Sequence, residues 1–185
     1  MANVIKRKIA VMGYPCVGKS SITLRFVYGS FPDIYDTTIE DIHMKQHKFN
    51  GKQYALHITD TAGQQEFSLF PRSCAIDIDG YILVYAIDDR KSFTIIHTIY
   101  DKLLENIGDK NIPIVVVGNK LDLQFHSRRV STAEGQQLAL SWNAAFLETS
   151  AKDNTSVEKI FDYLLREIEI ANGNMKRNQS NCIIS

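Results

Sequence analysis

Gly13-Tyr14-Pro15-Cys16-Val17-Gly18-Lys19-Ser20 fits the pattern G-x-x-x-x-G-K-[ST] and lies between two kinds of sequence. Ahead of it, Ile9-Ala10-Val11-Met12 is a continuous apolar run, as expected for a strand buried on both faces of a parallel sheet. Behind it, Lys19–Val27 reads as a helix. A strand, a glycine-framed turn and a helix in that order aim successive backbone N–H groups at one point, at the positive end of the helix, and so make an anion site. The Lys19 ammonium is expected to reach the β- and γ-phosphates of a nucleoside triphosphate, and the Ser20 hydroxyl to ligate Mg²⁺. Proline lacks an N–H, so Pro15 cannot join the cradle. The donors are expected to be the amides of Cys16, Val17, Gly18, Lys19, Ser20 and Ser21, with Gly13 opening the turn.

Outward from this loop the same alternation continues. Tyr81-Ile82-Leu83-Val84-Tyr85 and Ile114-Val115-Val116-Val117 are further buried-strand runs, with Ala144–Leu147 a shorter one. Arg90–Asn106, Ser131–Trp142 and Ser156–Ala171 read as helices. Ser131-Thr132-Ala133-Glu134 supplies a capping box for the second of these, and Val157, Ile160, Phe161, Leu164, Leu165 and Ile168 recur on one face of the third. Phe49-Asn50-Gly51-Lys52 signals a hairpin turn, followed by Tyr54, Leu56 and Ile58 alternating with more polar residues. Strands alternating with helices predict a doubly wound α/β domain, a mostly parallel six-stranded sheet with one antiparallel edge and flanking helices.

Composition narrows the classes. A chain of 185 residues, 44% hydrophobic and 23% charged, fits one compact domain with enough apolar material for a core. Formal net charge is zero, which argues against a nucleic-acid binder. Three cysteines at 16, 74 and 182 show no paired spacing, so a reducing compartment is expected. His43 and His47 read as polar residues on a solvated strand face rather than as metal ligands. No apolar run approaches the roughly 20 residues of a membrane span.

A second loop names the base. Asn119-Lys120-Leu121-Asp122 follows the strand at Ile114, and ligands of open α/β sheets bind at the carboxyl ends of strands, so this loop and the phosphate loop face one crevice. The Asp122 carboxylate can accept both the N1–H and the exocyclic amine of guanine. Adenine offers no such donor pair and would leave the carboxylate unpaired, at about 1–3 kcal/mol or more. Thr149-Ser150-Ala151-Lys152 follows the last strand and could bring a backbone N–H to the guanine oxygen and a lysine stem to the base plane.

These segments, in this order and spacing, resemble the Ras superfamily from about Ile5 to Ala171, read as a GTPase domain over residues 1–171. Asp60-Thr61-Ala62-Gly63-Gln64 is similar to the family's DTAGQ segment, and Tyr35-Asp36-Thr37-Thr38-Ile39-Glu40 to its first switch, usually YDPTIE. The resemblance implies that Phe31 packs edge-on against guanine and that Tyr35 joins the nucleotide-binding set. It implies that Thr38 reaches Mg²⁺ and the γ-phosphate, with Asp60 in the metal's outer sphere. Gly63 is implied as a backbone donor to the γ-phosphate and Gln64 as the residue that orients the attacking water. The expected catalytic set is Gln64, Lys19, Thr38 and Gly63.

Gly13-Tyr14, Phe70-Pro71, Ile78–Tyr85 and Ser141–Glu148 narrow the resemblance to one branch of the superfamily. That branch implies a tuberin-type GTPase-activating protein, a TOR kinase complex activated by the GTP form, and internal membranes as the place of action. Three positions depart from it: Pro15 stands for an arginine, Thr37 for the switch proline and Asp41 for an asparagine. Hydrolysis in such sites is slow without an arginine finger, on the order of 10⁻⁴ s⁻¹. Neither switch segment holds an arginine, and Arg72 lies eight residues past Gln64. Slow turnover and dependence on an activator are therefore expected. Two alternatives stand: a GTP-locked adaptor that does not hydrolyse, kept open by Pro15 and Thr37, and a different Ras-family branch with another effector.

From Asn172 the chain turns polar and aperiodic and reads as a flexible tail over residues 172–185. It ends Cys182-Ile183-Ile184-Ser185, a C-a-a-X pattern whose terminal serine points to a farnesyl transferase and a lipid on Cys182. One lipid chain gives reversible membrane binding, and upstream there are only Lys176 and Arg177. A monomer exchanging between cytosol and the cytoplasmic face of internal membranes is expected.

Overall fold

A computed structural model describes residues 4–31, 38–74, 76–108 and 111–177. Six strands and four α-helices follow in the order β1 (Ile5–Gly13), α1 (Lys19–Tyr28), β2 (Glu40–Phe49), β3 (Lys52–Thr61), β4 (Gly80–Ala86), α2 (Arg90–Ile107), β5 (Ile114–Asn119), α3 (Thr132–Ser141), β6 (Ala145–Glu148) and α4 (Val157–Ala171) among the described residues. The sheet order is β2-β3-β1-β4-β5-β6. Only β2 and β3 run antiparallel, in a register that closes from Glu40↔Thr61 to Phe49↔Lys52. Asn50 and Gly51 both take positive φ in the two-residue turn, as the right-handed twist of a hairpin demands. The doubly wound, mostly parallel sheet with one antiparallel edge is therefore what the chain forms.

The two faces of the sheet are covered by different helices. α1 and α4 close one side through Ile22, Phe26, Val157, Ile160, Phe161, Leu164 and Ile168 over the inward residues of β1, β3, β4 and β5. α2 and α3 close the other through Phe93, Ile96, Ile99, Leu103, Leu138 and Ala139. Phe161 lies fully buried and stacks on Phe26 with ring centroids 3.6 Å apart. A side chain of that size is worth about 1.5–3 kcal/mol in apolar burial. α4 also comes close enough that a Cβ on Gly80 would meet Leu164 Cδ1 at 2.8 Å.

Helix ends follow their local chemistry. Asp89 caps α2 by accepting from the Lys91 and Ser92 N–H groups at 2.9 and 3.3 Å. Ser131 and Glu134 form the capping box, which makes Ser131 the cap and starts α3 at Thr132. Trp142 is the C-terminal cap of α3, and its ring stacks on Tyr100 of α2 at 4.1 Å.

One expectation is corrected here. His43 and His47 do share a strand face, but at His47 that face is not solvated. His47 is buried, its Nε2 lies 2.7 Å from Asp162 Oδ1 on α4, and its ring meets Phe26 edge-on at 5.4 Å. The face that β2 turns to solvent instead carries Ile42 and Met44, both exposed. The hairpin's inner face is defined by α1 and α4 laid across it, which alternation along β2 alone does not reveal.

Candidate functional site

β1 ends where its two neighbours lead the chain to opposite sides of the sheet, β3 on one flank and β4 on the other. Such a reversal opens a crevice at the carboxyl ends of the strands. A cleft of about 510 Å³ lies there, lined by Pro15, Cys16, Gly18, Lys19, Ser20, Ser21, Phe31, Thr38, Thr61, Ala62, Gly63, Asn119, Lys120, Asp122, Ala151 and Lys152. That volume is within the range of small-ligand sites.

The loop after β1 is shaped by close approaches. A Cβ on Gly13 would collide with the Val84 carbonyl of β4, and one on Gly18 with the Asn119 amide. Gly18 sits at φ 95° immediately before α1, and Cys16 also holds positive φ, so the backbone winds as an anion cradle requires. The Asn119 Nδ2 that excludes a side chain at Gly18 donates to the Val17 carbonyl at 2.8 Å. Val17 itself is core, 1% exposed, and Gly13 is a packing glycine; neither lines the cleft with its side.

At the floor of this loop Lys19 is buried, with Nζ donating to the Tyr14 carbonyl at 3.1 Å. Burial pushes its ammonium down to about 8, against the pull of Asp60 and Cys16. A cation held dry in this way is favoured by an arriving anion. Ser20 Oγ and Thr38 Oγ1 lie 2.8 Å apart. Beside them Asp60 is 2% exposed, and its Oδ1 has no hydrogen-bond partner. Burial raises the Asp60 carboxyl, while Ser20 and Lys19 lower it. Two hydroxyls and a carboxylate with an unmatched oxygen form a hard oxygen set with room for further ligands. Those donors fit Mg²⁺, which keeps waters and phosphate oxygens in its shell rather than a full protein cage.

Gly63 faces the loop across the cleft. A Cβ there would stand 2.5 Å from Pro15 Cα and 2.6 Å from its Cγ, so Pro15 lies flush on this segment. The next residue, Gln64, is placed elsewhere than the expected role requires. Its backbone N–H donates to the Gly13 carbonyl at 2.9 Å, its side chain is buried, and its Nε2 has no partner. Gln64 is not part of the cleft lining.

The opposite end is a closed polar network. Leu121 N–H donates to the Thr149 carbonyl at 2.9 Å and Thr149 N–H to the Gly118 carbonyl at 2.9 Å, which ties the loops after β5 and β6 together. Ser150 Oγ donates to Asp122 Oδ1 at 2.7 Å. The Ala151 N–H meets Asn119 Oδ1 at 3.3 Å. Lys120 takes a left-handed φ of 67°, and its Nζ lies 3.5 Å from Asp88. Ser150 is 1% exposed, so it acts by holding Asp122. Phe31 stands at the rim, 37% exposed.

The fold thus brings Lys19, Ser20, Ser21, Thr38, Gly63, Asn119, Lys120, Asp122, Ala151 and Lys152 to one cleft from five separate loops. Tyr35 and Cys182 lie outside the described residues. Sequence reasoning did not single out Thr61 or Ala62 as lining residues. Their place between two expected site residues was the available signal.

These features define a nucleotide-binding α/β domain. The Ras family model matches residues 8–170, and the chain belongs to the Ras family. Members of that family bind guanine nucleotide, typically with Mg²⁺, and hydrolyse GTP. Among individual relatives, the chain is 53% identical to GTP-binding protein Rheb homolog 1 of Caenorhabditis elegans, over 92% of this chain and 82% of that one. It is 49% identical to the GTP-binding protein Rheb of Homo sapiens, over 96% of each chain. The GTP-binding protein Rheb homolog of Drosophila melanogaster is 51% identical over 97% and 98% of the two chains.

Proposed function

We propose that this chain is a Rheb-like small GTPase that binds GTP and GDP with Mg²⁺, hydrolyses GTP slowly and signals in its GTP form from a membrane. The observation that carries the reading is one cleft joining the Lys19–Ser20 loop at one end to Asp122, held by Ser150, at the other. Among the common bases only guanine gives Asp122 this pair of donors, so a guanine nucleotide fits both ends.

In this reading the amides of Cys16 to Ser21 bind the β-phosphate and Lys19 offsets charge on the β- and γ-oxygens. Ser20 and Thr38 would hold Mg²⁺, with Asp60 behind them; when bound, the ion supplies charge neutralisation at the β- and γ-oxygens. Thr38 and Gly63, from the two switch segments, hold the γ-phosphate, so its loss releases both. The position of Gln64 supports slow turnover. Its amide must leave its buried site before it can orient a water, and no arginine lines the cleft among the described residues. An activating protein, tuberin-type by the likeness to Rheb, would raise the rate and turn the GTP form off.

The likeness also carries the signalling part: activation of a TOR kinase complex and residence on internal membranes through a farnesyl group on Cys182. No helix among the described residues is long and apolar enough to cross a membrane. In this reading attachment rests on the lipid, and Cys182→Ser should move the protein from the membrane to the soluble fraction; equal fractions sink the anchor. The central test is single-turnover hydrolysis of bound GTP. A rate on the order of 10⁻⁴ s⁻¹ alone and a rise with an activator are expected. Release of no phosphate under either condition would turn the reading to the non-hydrolysing adaptor.

A further inference from the structure

We infer that Arg25 is a positioning residue that couples the chain entering the first switch to the loop that holds the base; this rests on the guanine-nucleotide reading of the cleft. Arg25 sits in the last turn of α1, half-buried and outside the cleft lining. Each of its three guanidinium nitrogens meets a different backbone carbonyl. Nε donates to Ala151 at 3.0 Å, Nη2 to Lys152 at 2.9 Å and Nη1 to Gly29 at 2.9 Å. The guanidinium carbon stands 5.7 Å from the centre of the Phe31 ring.

These partners fall in two groups. Ala151 and Lys152 belong to the base loop, whereas Gly29 and Phe31 belong to the chain leaving α1 toward residues 32–37. Ala151 is held through both of its backbone polar groups, its N–H donating to Asn119 Oδ1 at 3.3 Å and its carbonyl accepting from Arg25. Ala151 lies in the Thr149-Ser150-Ala151-Lys152 segment expected to present a backbone N–H to the guanine oxygen, so the orientation of that segment bears on base affinity. Charge-assisted bonds of this kind are roughly twice as strong as neutral ones, and a planar fork serves three acceptors where a lysine ammonium on a flexible stem does not. Moving the switch entry away from α1 therefore strips Arg25 of Gly29 and Phe31 and loosens its hold on Ala151. Opening at the switch is transmitted to the base through one side chain.

Release of the fluorescent nucleotide mant-GDP from full-length protein tests this. Arg25→Ala should release it about tenfold faster than wild type, the loss of about one charge-assisted bond. Arg25→Lys should fall between the two. The effects of Arg25→Ala and Phe31→Ala on the rate should multiply to more than the double variant shows, because the two residues share a contact. The inference is overturned by an Arg25→Ala rate within about twofold of wild type, by full rescue in Arg25→Lys, or by effects that multiply completely. If Arg25→Ala does not fold, Arg25→Lys decides alone, since it keeps the charge and loses the fork. A wild type that retains mant-ATP in place of mant-GDP overturns the guanine reading and the inference together. Retained mant-GDP with an unchanged variant rate overturns the inference alone.

Discussion

At the base end of the cleft, the Asn119 side chain bridges the Val17 carbonyl and the Ala151 N–H, and Ser150 is tied to Asp122. At the phosphate end, Asp60 keeps a buried oxygen and Gln64 a buried amide without partners, and Lys19 carries a cation that burial disfavours. At the base end the loops are tied to one another by hydrogen bonds within the chain. At the phosphate end buried polar groups have no such partners within the chain, which suits the proposed switch, whose order depends on what is bound. The base end gives identity and the phosphate end gives response.

The largest expected effect breaks the phosphate end. Lys19→Ala removes the buried cation, and two charge-assisted contacts at about 1.5–3 kcal/mol each amount to at least about 100-fold in affinity for GTP. The nucleotide-free protein should not be destabilised to match, since a desolvated charge leaves with the side chain. Fluorescent-nucleotide titration beside thermal unfolding reads both. A loss of less than about tenfold would mean that the amides carry the phosphates unaided.

Next in size is Asp122→Asn, aimed at the base end. An amide accepts one of the two guanine donors and opposes the other, so GTP affinity should fall about 10- to 100-fold. Xanthine carries an oxygen where guanine carries the amine, so xanthosine triphosphate should bind better to the variant than to wild type. Competition between the two nucleotides measures the exchange. An unchanged preference would show that the network around Asn119 and Ala151, rather than Asp122, selects the base.

How much of this contrast was legible in the sequence follows the same division. Lys19, Ser20, Asn119 and Asp122 sit in short motifs whose spacing is fixed by a strand and the turn after it, and local chemistry was enough to read them. The capping box at Ser131 and the hairpin at Asn50-Gly51 were legible for the same reason. What the sequence hid was contact between distant segments. The burial of His47 needs α4, more than a hundred residues away, and its partner Asp162 gives no local sign. Arg25 meets Ala151 across 126 positions and looks, in sequence, like any cation near a helix end. The motif naming Gln64 gives its chemistry but not its rotamer, and the rotamer decides whether the amide faces the cleft.

The smallest effect probes what supports the base end from outside. α3 backs the sheet where β5 and β6 deliver the two base loops, and Gly135 packs so closely that a Cβ would meet the Phe146 ring at 2.5 Å. Its first turn is held by Glu134, which accepts from Arg90 at 2.6 Å and from the Ser131 N–H at 2.9 Å. Arg90, first, and then the Ser131 donors hold the Glu134 carboxyl down at about 2. A carboxyl depressed in the folded state contributes stability that is fully present above its ordinary value near 4.5 and lost as pH falls through about 2. The pair is solvent-exposed and screened by salt, so the contribution is small. Glu134→Gln should lower the thermal midpoint by less than about 4 °C at neutral pH, and the gap to wild type should close between about pH 4.5 and pH 2. If the base end is held by its own network, mant-GDP release at neutral pH should not change in this variant. Faster release would mean that the order of the base loops is borrowed from α3, and the contrast between the two ends would then be one of scaffold rather than of site.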